Sequence, residues 1–249
     1  VTALRVAAAT ARVEIVALLR RPGLLAVIAG LAAFPLLTYH HLFDGSTTQI
    51  VAAQLYYLNT FTPVGIGVAL ADRFVRDHTL GVREVLDALP VGVAARVWGR
   101  FAGLVAGAAV PLLAVWLVEA VRIAVMRHDA GAIGLALAAF AAGVLPGLVL
   151  VCGLCLAGPA LLGVPLFRVV FVIYWFWGNL VPTQIAPSPS ASWFTPIGGI
   201  TLSAIFRADL GYQTLSAVDG VGSITVLTAA GLALVATLQC LEHRRQSTA

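Results

Sequence analysis

The sequence predicts an all-α integral membrane protein. It has six transmembrane helices, an N-terminal interfacial helix, a cytoplasmic helix between spans two and three, and a re-entrant extracellular segment before the last span. Three observations carry this. The 249 residues are 60% apolar and only 10% charged, with a mean hydropathy of +0.98, whereas soluble domains run near ~45–50% apolar and ~25% charged. One core cannot hide that excess, so a soluble enzyme, a disordered chain and a disulfide-built module are excluded. Apolar stretches of membrane-crossing length recur along the chain. All 15 basic residues are Arg, with no Lys, a coding bias of GC-rich genomes, and their positions alternate with the spans.

A spanning helix needs about 20 apolar residues to cross ~30 Å of hydrocarbon. Six stretches qualify: Leu24–Phe43, after Arg20-Arg21-Pro22-Gly23; Ile50–Leu70, ending at Asp72; Trp98–Val121; Ala132–Ala157, before Gly158-Pro159; Phe167–Thr183, beginning around Arg168; and Val221–Leu241, before Glu242-His243-Arg244-Arg245. With the N-terminus in the cytoplasm, the inner side holds Arg5, Arg12, Arg20, Arg21, Arg73, Arg76, Arg83, Arg96, Arg100, Arg168, Arg244 and Arg245. The outer side holds only Arg122, Arg127 and Arg207. That is the positive-inside bias, and an even number of spans returns the C-terminus to the cytoplasm. Trp193–Phe206 is uncharged but too short to cross and is broken by Pro196 and Gly198-Gly199. It is expected to be re-entrant or interfacial within an extracellular segment, 184–220. The chain reads as one domain, 1–249. Residues 1–23 contain Arg5, Arg12, Glu14, Arg20 and Arg21, so no signal peptide is expected.

Residues 1–22 hold the interfacial helix, over 2–20. Leu4, Ala8, Ala11, Ile15 and Leu18 share one side and Arg5 and Arg12 another, which suits a helix lying along a membrane surface. A plain charged lead-in to the first span is the alternative. The cytoplasmic loop, 72–96, is more informative. Nine ionised residues fall from Asp72 to Arg100 (Asp72, Arg73, Arg76, Asp77, Arg83, Glu84, Asp87, Arg96, Arg100). After Thr79–Gly81, Val82, Val85, Leu86 and Leu89 recur at helical spacing, with Arg83, Glu84 and Asp87 facing away, until Pro90. So short a helix is marginal alone in water. It reads as a docking helix for a soluble partner, against the plainer reading of a solvated loop.

The run Ala71-Asp72-Arg73, Arg76-Asp77, Gly81-Val82-Arg83-Glu84-Val85-Leu86, Ala88-Leu89-Pro90 and Arg96-Val97-Trp98-Gly99-Arg100 resembles the loop after the second span of ABC-2-type permeases, the membrane subunits of ATP-binding-cassette exporters. The six-span plan, the N-terminal helix and the Pro/Trp/Gly stretch before the last span are similar too. The resemblance implies a cytoplasmic coupling helix, here Val82, Arg83, Glu84, Val85, Leu86, Asp87 and Leu89, fitted into a soluble ATPase subunit. It implies contact of the N-terminal helix with that ATPase, and two permease halves, identical or related, paired around a path lined by the second and fifth spans.

The chain itself lacks a nucleotide site. It has no G-x-x-x-x-G-K-[ST], and without Lys it cannot supply the P-loop Lys. No cofactor is expected on it, ATP and Mg belonging to the partner ATPase. Neither a catalytic nor a metal site is expected. His40-His41 beside Asp44 reads as an interfacial polar cap, and the Cys152/Cys155 pair as small apolar residues inside an uncharged run. Span two carries Gln54, Tyr56, Tyr57, Asn59, Thr60 and Thr62, and span five Tyr174, Trp175, Phe176, Trp177 and Asn179. Polar groups in hydrocarbon must be satisfied. Gln54, Tyr57, Asn59, Thr60, Tyr174, Trp175 and Asn179 therefore read either as a path for an amphipathic or lipophilic substrate, or as helix-packing glue with an aromatic belt. Gly99, Gly103 and Gly107 form two G-x-x-x-G steps for close helix packing, read as within one subunit rather than between subunits.

The expectation is thus a non-enzymatic transport subunit in a bacterial plasma membrane, with soluble ATPase subunits, a second permease and membrane lipid as partners and no nucleic acid. An intramembrane lipid-modifying enzyme and a non-catalytic membrane assembly subunit are the alternatives.

Overall fold

The computed structural model describes residues 2–38, 45–73, 92–212 and 215–247, and every regular element among them is an α-helix. They are α1 (Ala3–Leu19), α2 (Pro22–Thr38), α3 (Thr47–Leu70), α4 (Val93–Arg127), α5 (Gly131–Gly143), α6 (Leu145–Leu162), α7 (Val164–Leu180), α8 (Gly199–Phe206) and α9 (Ala217–Ser247). Three stretches among the described residues are long and apolar enough to cross a membrane: α4, α5 with α6 taken together, and α9. The pair α1 and α2, bent by 70°, makes a fourth if it is counted as one span. The protein is membrane-embedded. These three correspond to the predicted third, fourth and sixth spans. The predicted first, second and fifth spans are helices at the expected places, α2, α3 and α7, but α2 and α7 have 17 residues each and α3 is polar. The docking helix, Val82–Leu89, and His40, His41 and Asp44 lie outside the described residues.

The helix ends follow from local chemistry. Ser46 and Gln49 form a reciprocal capping box at the start of α3: the Gln49 N–H donates to Ser46 Oγ (3.3 Å) and the Ser46 N–H to Gln49 Oε1 (3.0 Å). At its other end, Arg168 Nε donates to the Val68 carbonyl (3.2 Å), one of the last-turn oxygens that a helix cannot satisfy itself. The 35 residues of α4 run past the predicted Trp98–Val121 at both ends. No glycine or proline stops it there, and it closes only at His128, which takes a left-handed conformation (φ 52°). Asp129 then donates its N–H to the Ala124 carbonyl (3.0 Å). Gly163, at φ +75°, turns the chain from α6 into α7, where Pro165 opens the helix.

The centre is α3, which touches α2, α4, α5, α6, α7 and α8 and shares that role with the longer α4, which touches α1, α2, α3, α5, α6 and α9. The position of α3 explains its composition. A helix surrounded by protein can carry Gln54, Asn59, Thr60 and Thr62, all buried, where a lipid-facing one could not. One face of α4 and of α9 leaves Val110, Val118, Val121, Val218 and Val221 exposed, as lipid-facing surfaces do. Indole groups in the interior find partners: Trp116 Nε1 donates to the Ala136 carbonyl (3.0 Å), joining α4 to α5, and Trp98 Nε1 donates to Gln239 Oε1 (2.7 Å), joining α4 to α9.

Glycine sets the closest approaches. A methyl group on Gly153 would lie 2.7 Å from the Gly231 carbonyl oxygen, so α6 and α9 meet backbone to backbone. Phe171 of α7 lies over Gly67 of α3, and Phe167 over Gly158 of α6. Cys155 is buried beside them and donates Sγ–H to the Gly67 carbonyl (3.4 Å), while Cys152 is buried and unbridged.

Candidate functional site

Two regions gather polar chemistry. In the first, α7 packs against the central α3. Thr60 and Thr62 return their hydroxyls to the Tyr56 and Leu58 carbonyls one turn back (2.9 and 2.8 Å). Trp175 Nε1 donates to the Thr60 carbonyl (2.8 Å), and Asn179 Nδ2 donates to the Trp175 carbonyl (2.7 Å). Asn59 reaches the opposite way and donates Nδ2–H to the Pro196 carbonyl (3.4 Å). The seven residues predicted to line a path divide accordingly. Gln54, Asn59, Thr60, Trp175 and Asn179 are buried inside this chain, whereas Tyr57 and Tyr174 are half-buried. Beside Tyr174, α7 leaves Ile173, Phe176 and Trp177 exposed.

The carbonyl that Asn59 meets belongs to the segment expected to be re-entrant. Thr195 to Leu202 are buried without a gap, and only Gly199–Phe206 is helical. Asn59 lies in the middle turns of α3, so the irregular stretch reaches well down that helix. Its seat is the break between α5 and α6. Gly198 (φ +77°) sits on the Gly143 carbonyl, and the Pro196 carbonyl sits on Gly147. A side chain at 147 or 198 would fill that space, and one at 143 would meet the Leu202 side chain of α8. The sequence reading missed this pair: Gly143 and Gly147, four residues apart, make room for the segment, Gly147 for the Pro196 carbonyl and Gly143 for the Leu202 side chain. The outer part of the segment is tied to α9, where the Trp193 carbonyl accepts from Ser223 Oγ (3.2 Å) and Trp193 Nε1 donates to Asp219 Oδ1 (3.3 Å). Tyr212 follows α8 and hydrogen-bonds the Tyr56 hydroxyl, and burial pushes its phenol above the ordinary tyrosine range. An open apolar groove of about 470 Å³ runs beside this tie, lined by Trp193, Val218, Val221, Gly222, Thr225 and Val226. None of the predicted path residues lines it.

The second region is at the end of the bundle where the chain leaves α3 and begins α4. The buried Glu14 of α1 accepts from Arg73, just after α3, through Oε2, and from Arg100 Nε through Oε1 (3.1 Å). The side chains of Arg73 and Arg100 are 13% and 17% exposed, so both pairs are largely out of water. Glu14 stands there because α1 lies along α4 on the predicted glycines. A methyl at Gly99 would meet the Ala7 carbonyl oxygen (2.5 Å), at Gly103 the Ala11 carbonyl oxygen (2.7 Å) and Glu14 Cβ (2.6 Å), and at Gly107 the Leu18 side chain (2.7 Å). The contacts climb both helices together, so α1 and α4 run parallel. The face that α1 uses is Ala7, Ala11, Glu14 and Leu18. The predicted stripe is packed only in its later part, since Leu4 is 80% exposed and Ala8 is exposed. Small residues must face the glycines, and that rotates the helix away from its most apolar side. Sequence reasoning passed over Glu14. Its signal was present, as the one acid in α1.

Within α4, Glu119 and Arg122 form an ion pair, with Glu119 buried and Arg122 Nε donating to Oε2 (2.8 Å). No known protein family, curated protein or solved structure matches the chain.

Proposed function

We propose that the chain is the membrane-spanning permease subunit of an ATP-driven ABC exporter, crossing the membrane six times with both ends in the cytoplasm of a bacterial cell. It takes its energy from separate ATPase subunits and pairs with a second permease half. The similarity of residues 71–100 to the coupling loop of ABC-2-type permeases suggests the reading. The observation that supports it is the Glu14 junction. One carboxylate gathers α1, the end of α3 and the start of α4, so the N-terminal helix and both roots of the charged stretch share one end of the bundle. In this reading Val82–Leu89 is the handle on which the ATPase pushes, and the half-buried Tyr57 and Tyr174, with the exposed aromatic face of α7, supply this chain's wall of the path. Rigid-body motion of two halves about a midplane site then alternates access.

Affinity purification of the full chain from membranes tests it. A soluble ATPase is expected to co-purify, and Glu84→Arg or Leu86→Asp is expected to lower its recovery at least about tenfold, the scale of a disrupted interface anchor, with membrane insertion unchanged. Equal recovery with both variants overturns the reading. A second reading, a non-catalytic assembly subunit, is favoured by the burial of Gln54, Asn59, Trp175 and Asn179 within one chain. It predicts no ATP turnover in any complex the chain forms.

A further inference from the structure

Glu14 touches two different stretches of chain at once. Arg73 lies three residues past the end of α3, and Arg100 lies in the second or third turn of α4. The two guanidiniums sit on separate carboxylate oxygens, so neither competes with the other for the same atom. The carboxylate is buried, α1 contributes no other acid, and the flanking glycine contacts hold the backbone of α1 too close to α4 for Glu14 to swing away. Two guanidiniums in so dry a place would repel each other without the carboxylate between them. The 70° bend after Leu19 turns α2 away, so α1 is not held in line by the next helix and depends on this junction and on the glycine seam.

We infer that Glu14 is a positioning residue, an ionic rivet that makes α1, the end of α3 and the start of α4 move as one body. This rests on the exporter reading for its purpose: a displacement applied at either root of the 74–91 segment would reach α1 and α4 together rather than bending the chain locally. Glu14 touches neither cargo nor nucleotide in this role. It acts only through Arg73 and Arg100.

The experiment uses the full chain in lipid nanodiscs, with the exposed Cys240 replaced by Ser. Nitroxide labels are placed at Ala8 of α1 and Ala94 of α4, both exposed, and their separation is read by pulsed electron resonance. One narrow distance is expected for the parent. Glu14→Gln is expected to raise the share of displaced α1 about tenfold, the low end for loss of a buried charge partner given the partial exposure of both guanidiniums. Glu14→Asp, which keeps the charge, is expected to recover most of the narrow distance. An unchanged distance with Glu14→Gln overturns the rivet and leaves the glycine seam as sufficient. If Glu14→Gln does not give monodisperse protein, Arg100→Gln decides, since it leaves the pair of Glu14 with Arg73 whole. A broadened distance supports the rivet, and an unchanged distance overturns it. The distances need no ATPase, so an absent ATPase in the pull-down ends the exporter reading without touching them. Where an ATPase is captured, Glu14→Gln is expected to lower the chain's effect on the hydrolysis rate of each captured ATPase about tenfold, and Glu14→Asp to restore most of it. An unchanged rate counts against a positioning role.

Discussion

The α1–α4 seam and the seat of residues 193–206 both bring two backbones within reach of each other, and both rely on glycines spaced four apart. They differ in what they join. The seam joins two complete helices, whose own hydrogen bonds are satisfied, so glycine only removes bulk and the ion pairs of Glu14 add direction. The seat admits irregular backbone with carbonyls of its own to satisfy. There the glycines must also shape the cavity, and Asn59 must meet the Pro196 oxygen. Helix-on-helix contact therefore tolerates adjustment by sliding, while an inserted loop has a single fitting position.

That contrast breaks first at the seat. Gly198→Val places a β-branched residue at φ +77° against the Gly143 carbonyl. It is expected to cost about 3 kcal/mol or more and to abolish recovery of folded protein, checked by size-exclusion of detergent-solubilised membranes. Gly103→Leu on the seam is expected to cost about 2–3 kcal/mol, since a whole side chain must displace α1, and to lower the thermal midpoint without changing the secondary structure seen by circular dichroism. The smallest effect tests the polar pin. Asn59→Leu removes a long hydrogen bond, 3.4 Å, and leaves the Pro196 carbonyl unpaired. About 1 kcal/mol is expected by denaturant titration. If Asn59→Leu outweighs Gly198→Val, the seat is held by its polar pin rather than by its shape, and the contrast is wrong.

Much of the architecture was legible because apolar run length is a strong physical signal. Each of the six stretches from Leu24–Phe43 to Val221–Leu241 overlaps helix among the described residues, the fourth being divided between α5 and α6. Boundaries were less legible. The sequence reading set the ends of the third span at Trp98 and Val121, close to Arg96 and Arg122, but an arginine does not end a helix, so α4 continues past both. The polar character of span two announced that it avoids lipid, though not that it sits at the centre. The glycines at 99, 103 and 107 announced close packing, but their partner, α1, was hidden because its contact face is chosen for smallness rather than for apolar character. Gly143 and Gly147 went unread for a related reason. Their partners are a loop carbonyl and the Leu202 side chain, which leave no periodic trace in sequence. The predicted path residues stand at the interior of a single chain, and only Tyr57 and Tyr174 keep part of their surface.

The length of α4 has a mechanical consequence. Its 35 residues make a rod of about 52 Å, while the hydrocarbon is about 30 Å thick. At a common inclination of about 20° such a rod still overshoots the oil by about 19 Å. The first turns of α4 are also the ones braced, by α1 along its flank and by Gln239 of α9 through the Trp98 indole. Whatever stands clear of the lipid there is a propped mast of three helices, stiff enough to carry torque into the bilayer instead of folding over at the waterline.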